Sequence, residues 1–600
     1  MKEFRKQVEN FCNKPYAFPL TLLVIFISFF AMSFSGLDKY DSGFVLTSYR
    51  YIFSDPACCE YNFLYYFSLI IGGIFHTIYP SGGIFYYKIV LTLFYLMYLS
   101  IAWVLLKNYI SRFHLIIGML LASTFRIAYL DFSHNIISVF MVMLSLWAIY
   151  AGLKNRKISL LLIGGVLIGI NTFTRLPNIT MIILSLLILV NAKLNNIPCK
   201  IWLRQFVTII GGFILGALLI AILMMILGHW NIFLNSIGTG FEIADNTASS
   251  HNPIILIFNY VNAYLKIVLF FAILIFTWAY FDKILPLIKS KPIKYILGIG
   301  YCLLFPVVTI AFLTKIFGLT CAMYYMLTFF ASAYFINNKS INPYFKLIIL
   351  GNVFMLIFLP LGSDGYFILS NDILTAISCP LILYFADYVK NKIFGTAKWK
   401  YKISLRGNTL SYIIWGMMLF FSFNNIIYIT RYVHGEISWI YERIYKINAP
   451  LGKNIYTYKE RAERINSAVD ALNRQIKPGD YLLVYTEYPI IGYLTESKPY
   501  LPCPMPISCY PSVAAFSLKT KETEKRIKEK PVVIIDNFKI YNSEKESFLK
   551  NVKNWPAMKE FLVRNKYGIA WENEYYIILL PEHDSPAIFS SADNYPIGID

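Results

Sequence analysis

The chain has 600 residues, of which 57% are hydrophobic and 15% charged, with a mean hydropathy of +0.55. Soluble domains carry about 25% charged residues, so a soluble enzyme, a disordered chain and a disulfide scaffold are excluded. The net charge of +20 is no nucleic-acid signal. From Arg431 onward 23 Lys and Arg face 21 Asp and Glu, and the other 31 basic and 13 acidic residues lie upstream among apolar blocks.

Blocks such as Phe18–Phe34, Gly83–Leu106, Phe206–Leu227 and Ile254–Phe281 are long enough, or nearly so, to cross about 30 Å of hydrocarbon as helices. Hydropathy and loop charge predict thirteen spans, at 18–34, 83–106, 113–130, 135–152, 158–174, 178–193, 205–227, 255–281, 294–313, 317–336, 345–360, 371–389 and 408–430. The first is read as retained, because no small-x-small cleavage site follows it. Basic residues concentrate in alternate short loops, among them Lys154, Arg156 and Lys157, and Lys283, Lys289, Lys291 and Lys294. That bias places the N-terminus in the cytoplasm and, with an odd span count, the C-terminal segment outside. Tyr61–Tyr79 is expected to be an interfacial helix, and 228–253 a long outer loop that holds Glu242 and His251.

Residues 1–430 thus form a membrane domain and residues 431–600 a soluble α/β domain on the outer face. Tyr456–Ile476 has helical periodicity and stops at the turn Lys477-Pro478-Gly479-Asp480. Tyr481–Tyr485, Val532–Asp536 and Tyr575–Leu580 read as buried strands, with helices near Lys521–Lys530, Ser543–Lys553 and Ala557–Asn565. Cys503 and Cys509 flank a Pro-rich stretch, where a disulfide and two free thiols are equally open readings. No Cys or His spacing matches a zinc site.

The chemistry is sought in the acidic outer loops. Asp38 and Asp41, in Gly36-Leu37-Asp38-Lys39-Tyr40-Asp41-Ser42-Gly43, follow the first span at once. Spacing alone allows a general base with a binding partner, or a solvated loop with incidental aspartates. Arg175 at an outer span end suits a lipid-linked phosphate, since guanidinium grips phosphate oxygens in a fork; an interfacial anchor is the competing account. Asp131 and Asn135 hold a hydroxyl-binding position, or Ser133 simply caps the following helix. Asp364, in Gly362-Ser363-Asp364-Gly365, either faces a cavity or forms a tight turn.

This arrangement resembles the GT-C glycosyltransferases, polytopic enzymes that use polyprenyl-phosphate sugars and include the protein O-mannosyltransferases and the lipid A aminoarabinose transferases. Tyr40-Asp41-Ser42-Gly43-Phe44 is similar to the family's acidic first-loop motif, although Asp38 and Asp41 stand three apart rather than adjacent or alternating. Gly164–Pro177 is similar to the Gly-rich span ending in a Thr-Arg/Lys-Pro turn, with Leu176 inserted before the proline. Asp131–Ser138 resembles the segment that opens the fourth span, and Tyr481–Tyr485 with Pro489–Thr495 resembles the outer-face domain of many members.

The resemblance implies transfer of a sugar, with inversion, from a polyprenyl-phosphate donor to a lipid, glycan or protein acceptor at the outer face of a bacterial inner membrane. It implies Asp41 as the base, in a catalytic loop at 35–60, and Arg175 with Arg126 or Arg50 on the donor phosphate. Asp38, Asp131, Asn135 and Asp364 are the further substrate-binding candidates. A divalent metal is admitted without being required, and nucleic acid is not an expected partner. The rival readings are a flippase or transporter, which tends to show internal repeats that this chain lacks, and a non-catalytic assembly factor for envelope polysaccharide.

Overall fold

The computed structural model describes residues 2–124, 132–245, 253–284, 287–290, 292–293, 322–361, 374–390, 392–394, 405–433, 436–537 and 553–581. Arg126, Asp131 and Asp364 lie outside these residues, as do the expected span 294–313, His251 and the helix expected at Ser543–Lys553 but for its last residue, Lys553.

The other twelve expected spans fall on helical segments over their described residues; 125–130, 317–321 and 371–373 lie outside them. The chain enters through α1 (Lys2–Cys12) and α2 (Ala17–Ser33), bent by 93° at the break between them. The short α3 (Asp41–Tyr51) comes after them, then a 3-10 segment, Pro56–Tyr65, that leads into α4 (Tyr66–Ile78). Next come α5 (Gly83–Leu106), α6 (Arg112–Ser123), α7 (His134–Asn155) and α8 (Ile158–Thr172). A second 3-10 stretch, Leu176–Leu186, carries on into α9 (Leu187–Leu194), then α10 (Cys199–Ile226), α11 (Trp230–Asp245) and α12 (Pro253–Ile284). Helices Ala322–Asn337, Pro343–Phe358, Thr375–Tyr388 and Gly407–Arg431 complete the apolar part.

Length sorts these helices. Among the described residues, six segments are long and apolar enough to cross a membrane: Pro56–Ile78, Gly83–Leu106, His134–Asn155, Leu176–Leu194, Cys199–Ile226 and Leu410–Arg431. The bent pair that begins with α1 makes a seventh if counted as one span. Helices such as α6 and α8 are apolar but shorter, because a turn ends each early. Pro56–Ile78, expected to be interfacial, passes the length test, yet its backbone breaks from helical geometry at Cys59. Its Tyr61 amide donates to Pro502 of the C-terminal region at 3.1 Å.

The expected loop 228–253 is corrected at its first half, which is α11. Buried Phe233, Ser236 and Thr239 recur at three-residue spacing on its inner face. That face packs on the 3-10 segment Pro56–Tyr65 and the start of α4, where the Tyr66 hydroxyl meets His229 Nδ1 at 3.1 Å. The periodicity of helical burial, rather than loop polarity, decides this stretch.

The C-terminal region holds a five-stranded sheet in the order Tyr567–Glu572, Tyr576–Pro581, Val532–Asp536, Tyr481–Tyr485, Lys498–Pro499. The first three strands are antiparallel; Val532–Asp536, Tyr481–Tyr485 and Lys498–Pro499 run parallel. Both expected central strands have the boundaries read from their apolar runs, and their register pairs Leu482 with Val532 and Tyr485 with Ile535. Helices Lys459–Leu472, Val513–Arg526 and Trp555–Arg564 accompany the sheet. Cys503 and Cys509 are joined as a disulfide.

Candidate functional site

The first loop is organised by Asp38. Its carboxylate is buried and accepts three backbone amides: Tyr40 at 2.8 Å and Asp41 at 3.3 Å on Oδ1, and Ser42 at 3.3 Å on Oδ2. These amides open α3, where helical donors lack partners of their own, so Asp38 acts as the cap of that helix. Asp41, three residues on, is the first residue of α3 and is exposed. The positive end of a helix dipole favours a negative charge there. The pair therefore divides into a buried organiser and an exposed carboxylate.

The loop does not hang free at the membrane domain. Gly36 donates its amide to Tyr456 O at 2.7 Å, Tyr456 donates to Phe34 O at 2.8 Å, and Ser35 forms a parallel bridge with Tyr456. Gly36 takes a φ of +79°, a conformation open to glycine, with Val433 against its α-carbon. Arg461, buried, donates to Leu37 O at 2.7 Å, and Lys88 Nζ donates to Gly36 O at 2.7 Å.

Lys39 makes the central contact. Its ammonium meets Glu487 at 2.6 Å and lies over the rings of Tyr40 (4.5 Å) and Tyr488 (4.7 Å). Glu487 and Tyr488 come just after strand Tyr481–Tyr485, and the Glu487 amide donates to Asp536 at the end of the parallel strand Val532–Asp536. Asp536 is held by Arg464 at 2.8 Å, and Arg464 also donates to Tyr576 at 2.9 Å. The crevice outside the carboxyl ends of parallel strands is where open α/β sheets commonly take ligands. Here Lys39 of the first loop reaches the residues that follow the strand. Burial raises the phenols of Tyr40 and Tyr488 above their usual range, outweighing Lys39 at the first and Arg464 and Arg461 at the second. Both rings therefore stand neutral beside the cations.

Arg50 sits in the last turn of α3, nine residues or about 14 Å along the axis from Asp41. It pairs with Glu496, while Tyr51 donates to the Glu496 carbonyl at 2.5 Å. The same face of the molecule adds Lys498–Asp55 at 3.4 Å and Lys519–Glu60 at 3.3 Å.

Arg175 belongs to a second group, reached through α4. The ring of Tyr49 on α3 presses on Gly72 of α4, and the start of α4 bonds the turn at the end of α8. Phe67 donates its amide to Phe173 O at 2.8 Å, and Ser68 its hydroxyl to Thr174 O at 3.3 Å. Arg175 is buried, donates to Leu361 O at 3.1 Å, and lies close enough to His134 and Tyr260 for its charge to act on both. His134 stacks on Tyr65 at 4.1 Å. Asn135 is the neighbour of His134, and its amide donates to Ser133 Oγ at 3.4 Å, so the capping account of Ser133 holds.

Sequence reasoning missed the buried amides around this turn. Asn178 donates to Ser138 at 2.8 Å and to the Asn171 carbonyl at 3.2 Å, and both asparagines are fully buried. The signal was available: two Asn residues seven apart within apolar sequence, flanking an arginine, are costly to bury without hydrogen-bonding work. It also missed Glu487 and Glu496, whose partners are more than 440 residues away in sequence. Among the described residues no three His, Cys, Asp or Glu side chains converge as a metal-holding group, and the divalent ion admitted on resemblance is assigned no residues.

No family model matches the sequence, and no curated protein does. The structure is similar to two solved structures of the oligosaccharyltransferase of Archaeoglobus fulgidus. One, in complex with zinc and sulfate, matches with a TM-score of 0.42 at 10% identity over 85% of this chain and 68% of that one. The other, tethered to an acceptor peptide containing an NVT sequon, matches with a TM-score of 0.41 at 11% identity over 96% of this chain and 75% of that one.

Proposed function

We propose that the chain is a GT-C type glycosyltransferase that moves a sugar from a polyprenyl-phosphate donor to an envelope acceptor at the outer face of the membrane. The observation that carries this reading is the construction of the first loop. Asp38 spends its carboxylate on the amides that open α3, and Asp41, the first residue of that helix, is exposed with its amide bonded to Asp38. A base needs an accessible carboxylate with a defined direction, and a solvated loop has no use for a buried aspartate cap.

In the proposed reaction Asp41 takes the proton of the acceptor as its nucleophilic atom attacks the anomeric carbon. The bond from that carbon to the lipid phosphate breaks, and the configuration inverts. Arg175 would neutralise the phosphate that leaves, and its buried position makes each charge-assisted bond stronger than it would be in water. Asn135 stands beside that group, and Asp131, Arg126 and Asp364 remain further candidates. Arg50 would reach a phosphate only by giving up Glu496, so in this reading it braces α3.

Asp41→Asn tests the proposal. The change is nearly isosteric and removes the basic oxygen, so transfer from a labelled polyprenyl-phosphate sugar should fall by about 10²–10⁴-fold while thermal stability stays at the parent value. Near-normal transfer by a folded Asp41→Asn protein would end this mechanism and leave the transporter or assembly-factor reading. Arg175→Ala separates the donor role, since it should raise the donor KM more than the acceptor KM, with Lys restoring only part.

A further inference from the structure

The first helix, α1, is set across the second at 93°, so a chain that sends α2 through the bilayer lays α1 along its surface. Its orientation about its own axis is fixed by specific contacts. Arg5 pairs with Asp387 of helix Thr375–Tyr388 and stands 5.2 Å over the Phe113 ring of α6. Arg5 also bonds Glu9 one turn on, at 2.8 Å. Cys12 is buried against Ala17 and Ile116, with Val8 beside them, and Arg112 donates to Asn13 O at 2.7 Å. Asp387 in turn accepts His114 at 3.0 Å and Trp415 at 3.1 Å, so one carboxylate ties α1 to three other helices.

With that face docked, another is left outward. Phe4 is 69% exposed and Phe11 42% exposed, and at seven residues apart they lie on one side of the helix. Tyr16, in the turn to α2, is 54% exposed and meets Phe11 edge-on at 6.1 Å. Lys6, two residues from Phe4 and so on the opposite side of the helix, and Lys14, in the turn to α2, are exposed. Residues 2–14 carry four basic side chains against two acidic ones. Apolar rings on one face and a cation on the opposite one are what an in-plane helix offers to a bilayer that bears negative headgroups.

We propose that α1 is a docking surface for anionic phospholipid, with Phe4 and Phe11 immersed among the acyl chains and Lys6 and Lys14 at the headgroup phosphates. The Arg5–Asp387 pair sets which face meets the lipid. The surface is independent of the sugar-transfer reading, because it lies on other helices and uses none of the residues assigned to that reaction.

The test uses the full chain in lipid nanodiscs. A polarity-sensitive dye is placed on Phe4→Cys or on Lys6→Cys, with the exposed Cys199 replaced by Ser; the other free cysteines among the described residues are buried. The dye at position 4 should be quenched by lipids brominated on the acyl chain and shielded from aqueous iodide, and the dye at position 6 should show the reverse. Equal iodide quenching at both positions would overturn the proposal. Adding phosphatidylglycerol to phosphatidylcholine discs should lower quenching by acrylamide, a neutral quencher that the lipid charge does not repel, at position 4 by about twofold or more. Lys6→Gln with Lys14→Gln should abolish that change. Quenching that does not respond to phosphatidylglycerol would overturn the preference for anionic lipid. Both labelled positions are exposed, and the thermal melt of each variant, expected to match the parent, separates misfolding from a changed surface.

Discussion

Two interfaces in this molecule are built on opposite principles. Where α8 meets α10, four glycines make the contact. A Cβ on Gly165 would fall 2.2 Å from the carbonyl oxygen of Ile209, on Gly169 2.2 Å from that of Phe213, and on Gly216 2.2 Å from that of Val166. Gly212 faces the Leu162 carbonyl in the same way, and Gly164, on another side of α8, lies against Ile149 of α7. Where the first loop meets the C-terminal region, the contact is made of charge pairs, arginine–carbonyl bonds and a strand bridge. In a bilayer, apolar side chains gain little by leaving lipid for one another, so close backbone approach supplies the attraction. At the water boundary that constraint lifts, and directional bonds can select one register for the loop. The glycines of the stretch Gly164–Pro177 thus serve helix packing, whereas Thr174 and Arg175, at its end, belong to the polar group.

The sharpest way to break this contrast is at the glycine seam. Gly165→Leu or Gly216→Leu places a branched side chain on a backbone oxygen that cannot yield. The cost should be about 3 kcal/mol or more, visible as lost monodisperse protein in detergent. Normal yield and melting would show that the two helices separate easily.

Gly43→Ala probes the other interface with a smaller change. Its methyl would stand 2.1 Å from the Ile490 amide nitrogen. We expect about 1–3 kcal/mol of destabilisation, read as earlier proteolysis of the C-terminal region. Proteolysis at the parent rate would mean that α3 can slide away from that region without loss.

Glu487→Gln keeps the shape and removes the charge that faces Lys39. The pair is mostly buried, with side chains 10% and 16% exposed, so the loss should be about 1–2 kcal/mol in thermal or chemical unfolding. Exchanging the pair, Lys39→Glu with Glu487→Lys, should recover part of it, and no recovery would locate the effect in packing rather than charge. The smallest effect is expected at Lys459–Glu463, 3.8 Å apart and more than half exposed. Lys459→Ala should cost under about 0.5 kcal/mol, and a larger loss would show that exposed charges matter more here than solvent screening allows.

Legibility in the sequence followed the range of the interaction. Gly83–Leu106 was readable to the residue because a continuous apolar run records its own environment, and Tyr481–Tyr485 because its short apolar and aromatic run follows the turn Lys477-Pro478-Gly479-Asp480. Strand Tyr567–Glu572 was not seen. It comes after helix Trp555–Arg564 across a short turn whose Lys566 is left-handed, and its outward half is only partly buried. Asp41 was found as a candidate through its motif, and its exposure at the start of α3 was not legible there. The role of Asp38 was locally encoded, as an aspartate just ahead of a helix start. The pairing of Arg50 with Glu496 was not, because no pattern within a window reports a partner 446 residues distant.

The bridge between Ser35 and Tyr456 sets an order of assembly. Residues 34–36 leave the ribosome about 420 residues ahead of the strand that pairs with them, an interval of roughly 20–80 s at 5–20 residues per second. Through that interval Gly36 and Leu37 lack the acceptor and donor that hold them, and Lys39 lacks Glu487. The helices can insert one after another while the loop stays unorganised. The contacts that tie residues 34–39 to the C-terminal region therefore form only once that region has been made.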